Sequence, residues 1–153
     1  KLTGGAWHQS GDILSNVAVG QYTIEFGDIY GWDTPQNQAV TIQDGITTTA
    51  NGVYVQQTGC LTVTITPPEA AQAGVQWRVD GGDWHYSGYT LCNVSVGQHT
   101  LEYKGVQGWY APSTRTVNIE NGSTTVIYGT STPEGTFYII PGKGKGATVI
   151  YLE

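Results

Sequence analysis

Apolar and polar residues alternate in short runs along the whole chain. Tyr22, Ile24 and Phe26 alternate with Thr23 and Glu25, and His99, Leu101 and Tyr103 with Thr100 and Glu102. Leu61, Val63 and Ile65 alternate within Cys60 to Thr66, and Val75, Trp77 and Val79 within the next run. A period of two sends successive side chains to opposite faces of a strand, so each run predicts a strand with one face in a core and one in water. Val40 with Ile42, and Val117 with Ile119, mark two more. Asp44-Gly45 and Asn121-Gly122 then supply turn pairs of the kind that needs positive φ, predicting hairpins into strands over 46 to 55 and 123 to 128. Residues 69 to 73 have room for one helical turn. Short strands separated by turns predict an all-β sandwich or barrel.

The runs recur because the chain is duplicated. A shift of 77 residues lays 5–32 on 82–109 with 15 of 28 positions identical, and the match continues through Pro35 on Pro112 and Gly52 on Gly129. Repeats of this kind decide the architecture before any single element does. The expected fold is two tandem antiparallel β-sandwich repeats: residues 1–58 as an incomplete repeat 1 lacking its opening strands, 59–129 as a complete repeat 2, and 130–153 as a linker and the spare strand pair of a third repeat. In that tail Gly135 to Ile140 resembles Gly59 to Thr64, and Gly146 to Leu152 resembles Gly74 to Asp80.

The order of strand Leu61 to Thr66, Pro68-Glu69-Ala70, a strand ending Val79-Asp80-Gly81, then Val96-Gly97-Gln98-His99-Thr100-Leu101 and Gly122-Ser123-Thr124-Thr125-Val126 resembles the PEGA-type repeat of bacterial and archaeal surface proteins. The resemblance implies an Ig-like antiparallel sandwich used as an extracellular spacer, surface-layer or adhesin module, without catalysis. The chain departs from it by inserting Ala71, Gln72 and Ala73, and by carrying Val96 where the family often has Pro.

Composition narrows the class further. Twenty-one Thr, 14 Val and 11 Ile stand against 6 Leu and no Met, a bias toward β-branched side chains that excludes an all-α protein. Six basic against twelve acidic residues give a net charge of −6, which argues against nucleic acid as a partner. Apolar stretches of four or five residues are too short to span a membrane as a helix. The low share of charge, with Thr, Gly and Gln at polar positions, points to an extracellular or cell-surface location.

Candidate chemistry is sparse, and no catalytic residue, metal ligand or cofactor is assigned. His8 and His85 are equivalent copies, His99 replaces Tyr22, and no spacing typical of metal ligands occurs. Asp80-Gly81-Gly82-Asp83 reads as a turn, because two carboxylates are too few oxygen ligands for calcium. Glu25 and Glu102 lack a second acid, and Ser10 and Ser87 a positioned base. Cys60 and Cys92 both fall in repeat 2, their counterparts being Thr136 and Ser15, which favours a disulfide over two free thiols. Trp32 and Trp109 are candidates for stacking on a saccharide. Yet Trp7, Trp32, Trp84 and Trp109 persist in both copies while other aromatics change, so packing in a small core is the expected role.

Two functions remain in view. The first is a structural subunit of a filament or surface array that assembles head to tail with copies of itself, Phe137, Ile139, Val149 and Tyr151 of the tail filling the groove of a neighbour's repeat 1. Similar tethers at 53–58 and 130–134 favour this forward step over closure within one molecule. The alternative is an adhesin or carbohydrate-binding module whose partner is surface carbohydrate.

Overall fold

The computed structural model describes residues 1–135, and the backbone of 138–141 and 147–150. The chain divides into two compact units, Lys1–Gln57 and Thr58–Glu153. In the first, β1 (Gly20–Ile24) pairs antiparallel with β3 (Gln38–Ile42), and β2 (Trp32–Asp33) with β4 (Val55–Gln56). Leu2 bridges Ile24 from the other edge of β1.

The second unit carries β5 (Thr58–Thr66), α1 (Pro68–Ala73), β6 (Gln76–Val79), β7 (His85–Tyr86), β8 (Thr90–Ser95), β9 (Gly97–Lys104), β10 (Trp109–Tyr110), β11 (Arg115–Ile119), β12 (Thr124–Thr130) and β13 (Thr132–Pro133). These form a sheet β11-β9-β6-β7, a sheet β12-β5-β8 and the short pair β10-β13. Alternation along β5 buries Gly59, Leu61, Val63 and Ile65 and leaves the residues between them half-buried. Helix α1 fits the short Pro-Glu-Ala stretch because Pro68 is preset for a first turn and Gly74, at φ 102°, closes the last one. It carries the chain from β5 in one sheet to β6 in the other, with Ala70 buried beneath it.

One buried cluster joins both sheets: Leu61, Val63, Ile65 and Val94 from one, Trp77, Val79, Leu101, Val117 and Ile119 from the other, with Ala70 and Val75 between. The fold is all-β and sandwich-like, and it corrects the expectation in two respects. Asn121-Gly122 does turn with Gly122 at φ 67°, but β11 and β12 lie in different sheets, so the turn is a crossing and not a hairpin. The crossing brings β12 alongside β5 in the same direction, giving a parallel ladder from Thr124↔Cys60 to Thr130↔Thr66 in what was expected, from the resemblance, to be an antiparallel sandwich. Residues 130–134, read as linker, carry β13. In the tail, β14 (Tyr138–Pro141) and β15 (Ala147–Ile150) pair with each other, Ile139 opposite Val149.

The duplication is reproduced in register. Gly20↔Ile42 and Tyr22↔Val40 recur as Gly97↔Ile119 and His99↔Val117, Leu2↔Ile24 as Val79↔Leu101, and Trp32↔Gln56 as Trp109↔Pro133. The core does not recur. Every buried hydrophobic residue among those described lies in repeat 2, and Ile24, Val40 and Ile42 are only half-buried where Leu101, Val117 and Ile119 are 0 to 4% exposed. In the unassembled chain, Leu101→Ala is expected to cost about 2 to 5 kcal/mol and Ile24→Ala about 1 kcal/mol, because only the first opens a cavity in a closed core. Denaturation followed by hydrogen exchange, which resolves the two repeats, measures the difference.

Candidate functional site

The feature that sets repeat 1 apart is an open apolar face. Of the eleven buried side chains in repeat 2, six come from β5, α1 and residues 75–77, and residues 1–57 contain no counterpart of this stretch. The other five, Val79, Val94, Leu101, Val117 and Ile119, correspond to Leu2, Val17, Ile24, Val40 and Ile42, all half-buried. The strands that flank β5 are affected too. Counterparts of β8 (13–18) and β12 (47–53) form no strand in repeat 1, because the ladder that would define them needs β5 between them. Apolar side chains on these two segments and beside them stand in water: Ile13 is 81% exposed, Ile46 60% and Val53 76%.

The 46–54 segment is nevertheless held close to the course of β12 by side chains. Thr48 Oγ1 donates to the Thr41 carbonyl at 3.0 Å, as Thr125 does to Asn118 at 3.1 Å. Gln38 Nε2 donates to the Asn51 carbonyl at 2.6 Å, and Tyr54 Oη to that of Gly27 at 2.7 Å. Phe26 lies against Gly52 where Tyr103 lies against Gly129, so closely that a Cβ at either glycine would collide with the ring. One wall of the open face is thus preformed. The 13–18 wall has a lighter attachment, Tyr22 Oη donating to the Ala18 carbonyl at 3.0 Å.

The places of the tail residues can be compared with this face. Phe137 and Tyr151 lie outside the described residues. Ile139 and Val149 face one another across the β14-β15 hairpin, whereas their counterparts in repeat 2, Val63 and Trp77, lie in different sheets. Leu2 pairs with Ile24 as Val79 does with Leu101, so the place aligned with Tyr151 is already filled by repeat 1 itself. Cys60 and Cys92 are joined by a disulfide that ties β5 to β8. Repeat 1 has Ser15 at the second position and no such tie.

Of the four duplicated tryptophans, Trp109 packs against the core as expected, and none of the four is fully buried. Trp7 is 58% and Trp32 40% exposed, and Trp84 and Trp109 are half-buried. The fully buried tryptophan is Trp77 on β6, whose indole N–H donates to the Tyr86 carbonyl at 3.1 Å. What persists at Trp7 and Trp84 is a stacked cation: Lys1 Nζ lies 4.8 Å from one ring and pairs with Glu25 at 3.2 Å, while Arg78 lies 4.5 Å from the other and pairs with Glu102 at 2.9 Å. These glutamates, weighed above for catalysis, are therefore strand-face ion pairs, and Glu25 is held below the usual carboxylate range by hydrogen bonds from Thr3 and Lys1. Trp109 packs against the repeat 2 cluster.

The histidines are equally structural. His85 stacks on Tyr89 at 4.3 Å, and His8 stands 3.8 Å from Asp12, the residue equivalent to Tyr89. His99 Nδ1 donates to Asp80 at 2.6 Å, and its Nε2 lies 2.8 Å from the Ser95 carbonyl, the carbonyl equivalent to the one Tyr22 reaches. Among the described residues no group of three or more His, Cys, Asp or Glu is placed to hold a metal, and no helix is long and apolar enough to cross a membrane. No family model, curated protein or solved structure matches the chain.

Two predictions follow from these side chains. A soluble quencher is expected to extinguish the emission of Trp7 and Trp32 while leaving a blue-shifted, protected component from Trp77; emission protected as a whole would contradict the exposures given. The hydrogen bond from His99 holds the Asp80 carboxyl below its ordinary value, with the Thr100 amide adding to it and partial burial opposing. A depressed folded-state value contributes stability above the unfolded value near 3.9, and that contribution is lost as pH falls through the folded one. Asp80→Asn should therefore destabilise repeat 2 at neutral pH by about 1 kcal/mol, a charged hydrogen bond discounted for its half-exposed carboxylate, and the two proteins should converge in acid. Chemical denaturation at a series of pH values tests this.

Proposed function

We propose that the chain is an extracellular structural subunit built of PEGA-like sandwich repeats, which assembles head to tail into a filament or surface array. Each copy lends residues from 135–153 to the open first repeat of the next. The observation that carries this reading is the comparison of equivalent positions: five side chains sealed in repeat 2 lie half-open in repeat 1, and the elements that seal them in repeat 2 begin with a strand, Gly59 to Thr64, that the Gly135 to Ile140 segment of the tail resembles in its leading glycine and alternating apolar positions. An unfilled apolar groove beside unpaired strand edges is a template for strand addition. Full burial of a side chain such as Phe137 or Ile139 contributes about 1.5 to 3 kcal/mol, and each ladder hydrogen bond about 0.5 to 1.5 kcal/mol.

The way the chain leaves each repeat supports a forward step. Gln57 N–H donates to the Gly31 carbonyl at 2.8 Å and Glu134 N–H to the Gly108 carbonyl at 2.9 Å, an equivalent pair of bonds. In the first case the next residue begins β5; in the second it is Gly135, which begins the donor. The half-exposed Trp32, with Tyr30 80% exposed beside it, favours a second reading as a carbohydrate-binding adhesin, for which an oligosaccharide would shift tryptophan emission at Trp32 but not in Trp32→Ala.

For the subunit reading, sedimentation and negative-stain microscopy of the full chain should show concentration-dependent polymers. A chain lacking residues 135–153 should stay monomeric, with repeat 2 folded. A full chain that remains a monodisperse monomer at the highest attainable concentration would overturn the proposal.

A further inference from the structure

Resting on that reading, we infer the register of the junction: residues 136–141 of one copy enter repeat 1 of a second copy parallel to its 47–52 segment and antiparallel to its 13–18 segment, with Gly135 seated against the turn at 43–46. The constraint comes from Gly59. A Cβ there would strike the Glu120 carbonyl and come within 2.9 Å of both the Ser123 carbonyl and Ile119 Cγ2, so the strand can enter beside that turn only through a glycine. In the tail the glycine that immediately precedes the 136–141 segment is Gly135, and a Cβ at Gly135 meets nothing within 4 Å in the unassembled chain. Its requirement for glycine would arise only on docking, against the equivalent atoms of Gln43, Ile42 and Ile46.

Seating Gly135 in the place of Gly59 fixes everything after it, because a one-residue slip in a strand reverses its faces. In this register Phe137 and Ile139 take the inward places of Leu61 and Val63, while Thr136 and Tyr138 face out. Continuing the strict 77-residue spacing, which aligns Glu134 with Gln57, would instead place Thr136 at Gly59 and turn Phe137 and Ile139 to the outside. Pro141 then falls on Ile65, whose N–H donates to the Ser87 hydroxyl at 2.8 Å and not to the β8 ladder, so a residue without an N–H costs that position no backbone pairing. The occupied strand has neighbours on both edges, as β5 has β12 and β8. A strand has two edges only, so docking must release β15 from β14, and the tail hairpin is a closed form that assembly opens.

The disulfide of repeat 2 provides the test. Cys60 and Cys92 join β5 to β8, and in this register their counterparts at the junction are Thr136 and Ser15. The full chain carrying Ser15→Cys with Thr136→Cys should give a ladder of covalent oligomers on a non-reducing gel after oxidation, the 15–136 link being identified by mass spectrometry alongside the native 60–92 link. Ser15→Cys with Phe137→Cys should give at least tenfold less. Gly135→Val should leave the thermal unfolding of the monomer unchanged and abolish polymers by microscopy. Wild-type polymers with a ladder only in the 137 variant, or with polymers persisting in Gly135→Val, would overturn the register and leave the subunit reading standing. An intramolecular 15–136 link would place the donor in its own molecule and overturn the second copy as occupant. No wild-type polymer under any condition would remove both.

Discussion

A central strand is required three times over: by its neighbour on each edge and by the sheet that its inward face covers. In this protein β5 is that strand. With it in place, β8 and β12 have ladders, Leu61, Val63 and Ile65 meet Trp77 and Leu101, and repeat 2 closes without leaving a large apolar residue of its core in water. Without it, the same pattern of residues in repeat 1 yields a correct pairing of β1 with β3 and little else that is closed. The comparison sets repeat 2 beside a copy, identical at 15 of 28 aligned positions, whose residues include no counterpart of β5, α1 or the start of β6. It also shows which interactions survive the loss. Side-chain anchors such as Thr48 to Thr41 and Phe26 against Gly52 keep their geometry, as does the β1-β3 ladder, whereas the two ladders that would run along β5 are absent.

The strands with strict alternation were legible in the sequence because both faces of each are decided by solvent: β1, β3, β5, β6, β9 and β11 all fall where apolar and polar residues alternate. The duplication carried more, since one register read in repeat 2 applies to repeat 1. What could not be read was the partner of each strand. Asn121-Gly122 specifies a turn with positive φ, but whether the following strand pairs back or crosses to the opposite sheet depends on the place already prepared beside β5, which is a long-range property. The tryptophans misled for a related reason. Persistence in both copies shows that a residue is used, not that it is buried, and Trp7 and Trp84 are used as platforms for Lys1 and Arg78. The open face itself was legible as missing strands; the glycine that would admit a donor was not, because its constraint is a carbonyl on another turn.

Divergence between the repeats has kept interactions more faithfully than residues. Tyr22 and His99 reach equivalent carbonyls with different side chains, and Lys1 with Glu25 is matched by Arg78 with Glu102. Substitutions that respect a hydrogen bond's direction are tolerated on a strand because the backbone position fixes where the donor must end, not what carries it. Cys60 and Cys92 are the exception, a pair that repeat 2 holds and repeat 1 lacks.

The parallel pairing of β5 with β12 has a mechanical meaning. The chain enters repeat 2 at the first residue of β5 and, after β12, is held once more by β13 on β10 and by Glu134 on Gly108; β5 and β12 run in the same direction from Thr124↔Cys60 to Thr130↔Thr66. Tension along the chain would load the short β10-β13 pair first and, once that is released, pull β5 and β12 past one another lengthwise, loading all their hydrogen bonds together, where an antiparallel pair pulled from one end would open a bond at a time. The disulfide sits two residues after the entry point, so the same pull passes into β8 through a covalent bond before β5 can slide. In repeat 2 the β5-β12 ladder and the disulfide thus both lie in the path of a pull along the chain.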